Sequence, residues 1–254
     1  MKIVVISDTH GAKFSHLIPK CDLLLHCGDI SPARMAHDHH SQKQWFHNSF
    51  IDQLKEVKAK NIVVIAGNHD TYLHNCYGFG PNAAEIEKAL PKNVHYLADS
   101  GAEIDGLKIY GTPWVNAPIW SDLGPPVWNF AAKNQDKLAD IYSKIPEGLH
   151  ILLSHGPAYG YCDVILDNGM QLLKQESLGP NYIVQEDNLG AVPLIEQIRL
   201  VKPQYVFSGH IHSAKHDWEV IVDKDSLKPI TKFRCVSLLN EQYDVGYEPF
   251  VIEL

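Results

Sequence analysis

The chain has 254 residues, 45% of them hydrophobic and 20% charged, with 30 acidic against 22 basic side chains for a formal net charge of −8. That balance belongs to a globular chain able to bury a core without disulfide staples, and its three arginines, Arg34, Arg199 and Arg234, offer no basic face to a nucleic-acid polymer or an anionic membrane. No apolar run nears the ~18 residues of a membrane span, and the opening MKIVVISDTHG is too short an apolar stretch for a signal peptide.

Lys2–Ser7, Asp22–His26 and Asn61–Ala66 have the pattern of buried strands, and Ser41–Lys60 between the last two carries apolar residues at helical spacing. Strand, helix, strand predicts parallel pairing and an α/β fold. Ala83–Leu90 is a short helix stopped by Pro91. Val94–Leu97, Ala102–Ile104 and Leu107–Tyr110, separated by turn signals, predict a local antiparallel meander. Trp114–Asn129, with three prolines and three tryptophans, is expected to be a structured loop, and Asn129–Lys144 a helix. Leu149–Ser154 is a strand, Tyr159–Asn188 a long polar loop, Leu189–Val201 an amphipathic helix ended by Pro203, and Tyr205–Ser208 another buried strand. Lys215–Leu254 is β-rich with a turn near Asp223–Asp225. There is no repeat, linker or low-complexity tract, so one domain over residues 1–254 is expected.

The five cysteines are scattered, odd in number and form no C-x-x-C, the pattern of free thiols in a reducing cytoplasm. Fifteen histidines point instead to a metal. Their placement is informative, because each buried strand runs straight into ligand chemistry. The strand ends read Asp8-Thr9-His10, then Gly28-Asp29, then Gly67-Asn68-His69-Asp70, then Ser154-His155, then Gly209-His210-Ile211-His212. Functional groups of an α/β sheet gather beyond the carboxyl ends of its strands. On an extended segment Asp8 and His10 share a side, as do His210 and His212. Singly, each block has an ordinary explanation: a turn, or a helix cap for the Asn and Asp. Jointly, seven N and O ligands (Asp8, His10, Asp29, Asn68, His155, His210 and His212) exceed one tetrahedral zinc site. They suit two ions of intermediate softness, Mn, Fe or Zn, sharing a carboxylate.

These five blocks resemble the signature of the calcineurin-like metallophosphoesterases, with no ligand missing. The stretches Ile109–Trp114 and His155–Ala158 resemble the metallophosphoesterase-domain branch, related to class III cyclic nucleotide phosphodiesterases. The resemblance implies a four-layer α/β fold, a β-sandwich flanked by helices. It implies one metal on Asp8, His10, Asp29 and His212 and another on Asp29, Asn68, His155 and His210, with Asp29 bridging. His69 would not ligate but would assist the leaving group or the transition-state charge, beside Asn68 and Asp29.

The activity expected is hydrolysis of a small or nucleotide-like phosphoester by a metal-bridging hydroxide. A diester is favoured, because a dianionic monoester calls for cationic clamps that so few arginines do not supply. A phosphomonoesterase is the nearest alternative. A non-catalytic scaffold would be expected to lack a ligand, and this chain lacks none. His37, Asp38, His39 and His40 form a polar knot expected to be a solvated loop, with Arg34 on the surface nearby. Trp114, Trp120 and Trp128 are expected either to pack as a rigid lid or to line the core or a crevice, and Tyr159, Tyr161 and Asp163 to shape the pocket. His16, His47, His74, His95, His150 and His216 carry no motif.

Overall fold

The computed structural model describes residues 1–77, 83–117, 128–132, 134–166 and 188–254. The first part of the chain forms β1 (Lys2–Ile6), β2 (Cys21–His26), α1 (His39–Trp45), α2 (Ile51–Glu56), β3 (Ala59–Val64), α3 (Thr71–Asn75), α4 (Ala83–Ala89) and β4 (Val94–Tyr96). There follow β5 (Ser100–Ile104), β6 (Leu107–Thr112), β7 (Val115–Asn116), β8 (Ala131–Ala132), α5 (Gln135–Tyr142), β9 (Ile151–Ser154), α6 (Val192–Val201), β10 (Tyr205–Ser208), β11 (Glu219–Val222), β12 (Pro229–Cys235) and β13 (Phe250–Glu253).

The described residues form two large sheets, ordered β13-β1-β2-β3-β4 and β11-β12-β10-β9-β6-β5, and a two-stranded sheet of β7 and β8. The neighbours β1, β2, β3 and β4 are parallel, as are β6, β9, β10 and β12, while β13, β11 and β5 close edges antiparallel. Inner strands such as β1, β2 and β9 are apolar on both faces because both faces are covered, whereas the edge strands β5, β11 and β13 stay partly exposed. In β1, Ile3 and Val5 pack with Leu23, Leu25 and Val63 against Ile109, Ile151, Leu153 and Phe207 of the other sheet. Val4 and Ile6 belong instead with Phe46, Phe50, Ile51 and Leu54 beneath α1 and α2. On the far side Leu152 and Val206 lie with Leu138, Ile141, Leu194 and Ile198 of α5 and α6. This is the four-layer sandwich that the resemblance implied. Each fully buried Val, Leu or Ile contributes roughly 1.5–3 kcal/mol.

Several local expectations are corrected. The helix expected over Ser41–Lys60 breaks into α1 and α2 around a π turn at Phe46–Phe50. Phe46, Phe50 and Leu54 recur every four residues and all are buried, a spacing that the wider turn keeps on one face. The helix also stops early, since Val57 is already extended and β3 begins at Ala59. The three-stranded meander is a hairpin of β5 and β6 only; β4 pairs parallel with β3 in the other sheet. Asp99, at φ +46°, makes the corner between the sheets and accepts hydrogen bonds from Tyr77, Thr112 and Trp114. The helix expected from Asn129 begins only at Gln135, capped by the Asn134 side chain, because Ala131–Ala132 pairs with β7. The last long helix starts at Val192 and ends at Lys202 in the left-handed region, one residue before Pro203. Much of the Trp114–Asn129 and Tyr159–Asn188 stretches, Trp120 included, lies outside the described residues. Among the described residues no helix is long and apolar enough to cross a membrane.

Candidate metal centre

Five parallel strands, β1, β2, β3, β9 and β10, deliver the ligand blocks to one edge of the sandwich. The loops there are unusually bent: Asp8, His10, Asp29 and His210 hold φ of 52°, 42°, 52° and 67°. A non-glycine residue in that region costs on the order of 1–3 kcal/mol and persists only when the surroundings over-determine it. Here the β1 and β2 loops are laced together, with Asp8 N donating to Gly28 O at 2.9 Å, His10 N to Asp29 O at 3.0 Å and Gly11 N to Ile30 O at 2.9 Å. A Cβ at Gly67 would collide with the Asp29 carboxylate and the His155 ring, so only glycine lets the β3 loop pass this close.

The side chains converge. Asp29 is 2% exposed and lies with Oδ1 3.4 Å from His155 Nε2 and Oδ2 3.5 Å from His10 Nε2. Asn68 Oδ1 is 2.9 Å from His155 Nε2, and His212 Nε2 is 3.5 Å from Asp8 Oδ1 and 3.2 Å from His10 Nε2. Two ligand groups form, Asp8–His10–His212 and Asp8–Asp29–His155, with ligand atoms within 4.8 Å of one another. His210 lies beside them, its ring centroid 5.4 Å from that of His155 and 5.2 Å from that of Trp128, while its N–H donates to both Asp8 oxygens. His69 stands at the rim, its Nε2 4.0 Å from Asp29 Oδ2. All eight residues singled out by the strand-end motifs are therefore at one place.

The tautomers are set from behind. His155 Nδ1–H donates to Cys27 O and His212 Nδ1–H to Asn240 O, both at 2.9 Å. Each Nε2 is left facing oxygen acceptors, those of Asn68 and Asp29 for His155 and one of Asp8 for His212, with His10 Nε2 3.2 Å from His212 Nε2. A ring nitrogen that faces a carboxylate in this way suits a proton or a metal ion between them. Burial opposes a charge on His155, but Asp29 outweighs it and pushes the imidazole up to about 9. Burial likewise opposes a charge on His212, and Asp8 raises it to about 9. With less compensation, burial pushes His10 down to about 4 and His210 down to about 3. Burial opposes ionisation of Asp8 and Asp29 too, yet the facing histidines hold both carboxyls below their ordinary range. An acceptor-rich set of imidazoles, carboxylates and one amide, with Asn68 Nδ2 and His10 Nδ1 buried and unpartnered, fits borderline divalent metals.

Other residues support the cluster without being candidate ligands. Asp70 closes the Gly67–Asp70 block without ligating: it accepts from Gly67, Ile30 and Ser31 N–H groups and so clamps the Asn68 loop to the Asp29 loop. Ser237 Oγ donates to Asp8 Oδ2 at 2.8 Å. Buried His26 bonds Thr9 Oγ1. Asn129 donates to Asn68 O from both its main-chain and side-chain nitrogen. Of the weaker expectations, Asp38 caps α1, His39 bonds Asn75 and His40 bonds Gln44, so the polar knot is a helix start. Arg34 is exposed on a 3-10 turn. Trp114 is buried against Asp99, Tyr161 stacks on Phe233, and Asp163 accepts from Gly160 and Gly190.

The model of the calcineurin-like phosphoesterase family matches residues 1–214. Metallophosphoesterase domain-containing protein 1 of Homo sapiens is 26% identical over 270 residues, covering 100% of this chain and 71% of that protein. The UPF0046 protein T07D4.2 of Caenorhabditis elegans is 27% identical over 280 residues, and the chain spans 60% of its length. Among solved structures, a phosphopantetheinyl hydrolase of Mycobacterium tuberculosis shares the fold, with a TM-score of 0.57 at 12% identity over 97% of this chain and 93% of that one.

Proposed function

The chain belongs to the calcineurin-like phosphoesterase family, and we propose that it hydrolyses small phosphoesters at the strand-end cluster with two divalent ions, Mn, Fe or Zn. Asp8, His10, Asp29 and His212 would hold one ion and Asp29, Asn68, His155 and His210 the other. The observation that best supports this is the posture of Asp29, one oxygen toward His10 and the other toward His155. A carboxylate so placed can serve two ions at once. When bound, the ions supply Lewis acidity and a water acidic enough to attack phosphorus near neutral pH. His69, its ring one-fifth exposed beside Asp29, is assigned proton delivery to the leaving group. Asn68, with Nδ2 free of any partner, can donate to a phosphoryl oxygen.

The substrate class in this proposal is a phosphodiester, small or nucleotide-like, rather than a polymer. Among the described residues the ion-pair partners of Asp8 and Asp29 are histidines, not lysines or arginines, which supports a substrate with one phosphate charge rather than two. One catalytic domain over residues 1–254 is part of the proposal, supported by ligands drawn from both sheets. So is a cytoplasmic location, supported by five cysteines that are all free and buried. The test is turnover of bis(p-nitrophenyl) phosphate beside p-nitrophenyl phosphate, with chelated protein and after added Mn²⁺. Metal-restored cleavage with the diester preferred bears the proposal out. Preference for the monoester overturns the substrate class. No cleavage of either by protein carrying two metals overturns the hydrolase reading.

A further inference from the structure

Beyond the candidate ligands, one aromatic side chain is placed on the centre outside the apolar clusters that the described residues form. Tyr243 lies with its ring centroid 4.8 Å from that of His10 and 5.4 Å from that of His212. It is 46% exposed and joins none of the apolar clusters of the fold. Trp128, the aromatic beside His210, differs: it packs on Val115, Ala117 and Ala131.

The backbone works to put Tyr243 there. Its φ is +63°, a conformation that a bulky side chain rarely adopts. The turn is tied by Tyr243 N donating to Asn240 O at 2.9 Å and by Asn240 N donating to Asp244 O at 2.9 Å. The Asn240 side-chain oxygen accepts from Gln242 and Asp244 N–H groups, and Leu239 bridges Val245 at the base. The same Asn240 carbonyl accepts His212 Nδ1–H. One carbonyl thus fixes both a ligand tautomer and the amide of the tyrosine that covers it. A strained, half-exposed aromatic ring on two ligand imidazoles is a contact surface for whatever enters.

We infer that Tyr243 is a specificity residue: its ring walls the centre on the His10–His212 side and selects phosphoesters that carry a flat aromatic group. The inference deepens the proposed hydrolase reading and rests on it for the phosphate. An aromatic ring offered beside a phosphate site gains by stacking on a substrate ring, an effect on the order of tenfold in affinity. A methyl ester gains nothing comparable.

The experiment is calorimetric binding of phenyl phosphate and of methyl phosphate to Mn²⁺-loaded wild type, Tyr243→Phe and Tyr243→Ala. Metal content is measured on each. The expected result is tighter binding of phenyl than methyl phosphate by wild type and Tyr243→Phe. Tyr243→Ala loses about tenfold for phenyl phosphate, keeps its methyl phosphate affinity and keeps both metals. Equal loss for the two ligands, unchanged phenyl affinity, or loss of metal from Tyr243→Ala each overturns the inference. Turnover of the aryl diester is run in parallel. Tyr243-dependent phenyl selectivity in a protein that cleaves no ester sinks the hydrolase reading alone, while intact cleavage without that selectivity sinks the inference alone.

Discussion

The main-chain N–H of His69 donates to Asp29 Oδ1 at 2.8 Å, while the His69 ring stands 4.0 Å from Asp29 Oδ2. The Asp29 carboxylate is thus held by the main chain of the residue whose ring stands beside it. Truncating the ring leaves that hydrogen bond in place. His69→Ala should retain its metals and lose turnover by about 10²–10⁴-fold, the usual worth of a positioned proton donor. Metal analysis beside steady-state kinetics checks this; a variant that lost metal would make His69 a ligand.

Gly67 gives a steric test of the same carboxylate. The Cβ of Gly67→Ala would meet Asp29 Oδ1, Asp29 N and His155 Cε1. Overpacking of this kind costs about 1–3 kcal/mol, and here the strain falls on Asp29 and His155, both proposed to hold metal. The variant should fold with a lower melting temperature and bind metal weakly. Full metal content with wild-type turnover would mean that the β3 loop has room to retreat.

Proton release on metal binding follows from the raised imidazoles. Without metal, His155 and His212 carry their protons up to about pH 9. A ligand must shed its proton to coordinate. Loading the protein at pH 7 should therefore release about two protons, and metal affinity should climb as pH rises toward 9. Titration calorimetry in buffers of different ionisation enthalpy measures the count; release of none would contradict the tautomers drawn here.

The metal-free fold should be most stable near pH 6.5. His155 and His212, raised from 6.5 to about 9, stabilise it fully below pH 6.5 and lose that contribution as pH rises toward 9. His10, His26 and His210 are held at about 4, 3 and 3, each chiefly by burial. Their unfolded forms take up protons first, so stability falls as pH drops from 6.5 through that range. Melting temperatures of chelated protein from pH 4 to 9 should decline on both sides. A flat profile would contradict the burial of these rings.

The residues of the candidate site are more legible in the sequence than the pairing of the strands. Asp8-Thr9-His10 and Gly209-His210-Ile211-His212 announce themselves because side-chain chemistry is written in residue type, and the apolar strand before each block says where it goes. Strand partnership is not written that way. Val94 and Leu107 both begin short apolar runs, yet one joins β3 and the other pairs across the Asp105–Gly106 turn with β5. Only the corner at Asp99, held by three donors distant in sequence, separates them. Asn240 was invisible because it orients His212 through its main-chain carbonyl, which every residue has. Tyr243 was invisible because nothing in an isolated tyrosine foretells a left-handed turn.

In the proposed centre one carboxylate, that of Asp29, serves two ions. Calorimetric titration of chelated wild type and Asp29→Asn with Mn²⁺ addresses it directly. Two equivalents should bind wild type, and the single change should weaken both together, because the amide removes the charge that each shares. Two full equivalents bound to Asp29→Asn with unchanged affinity would contradict the bridge.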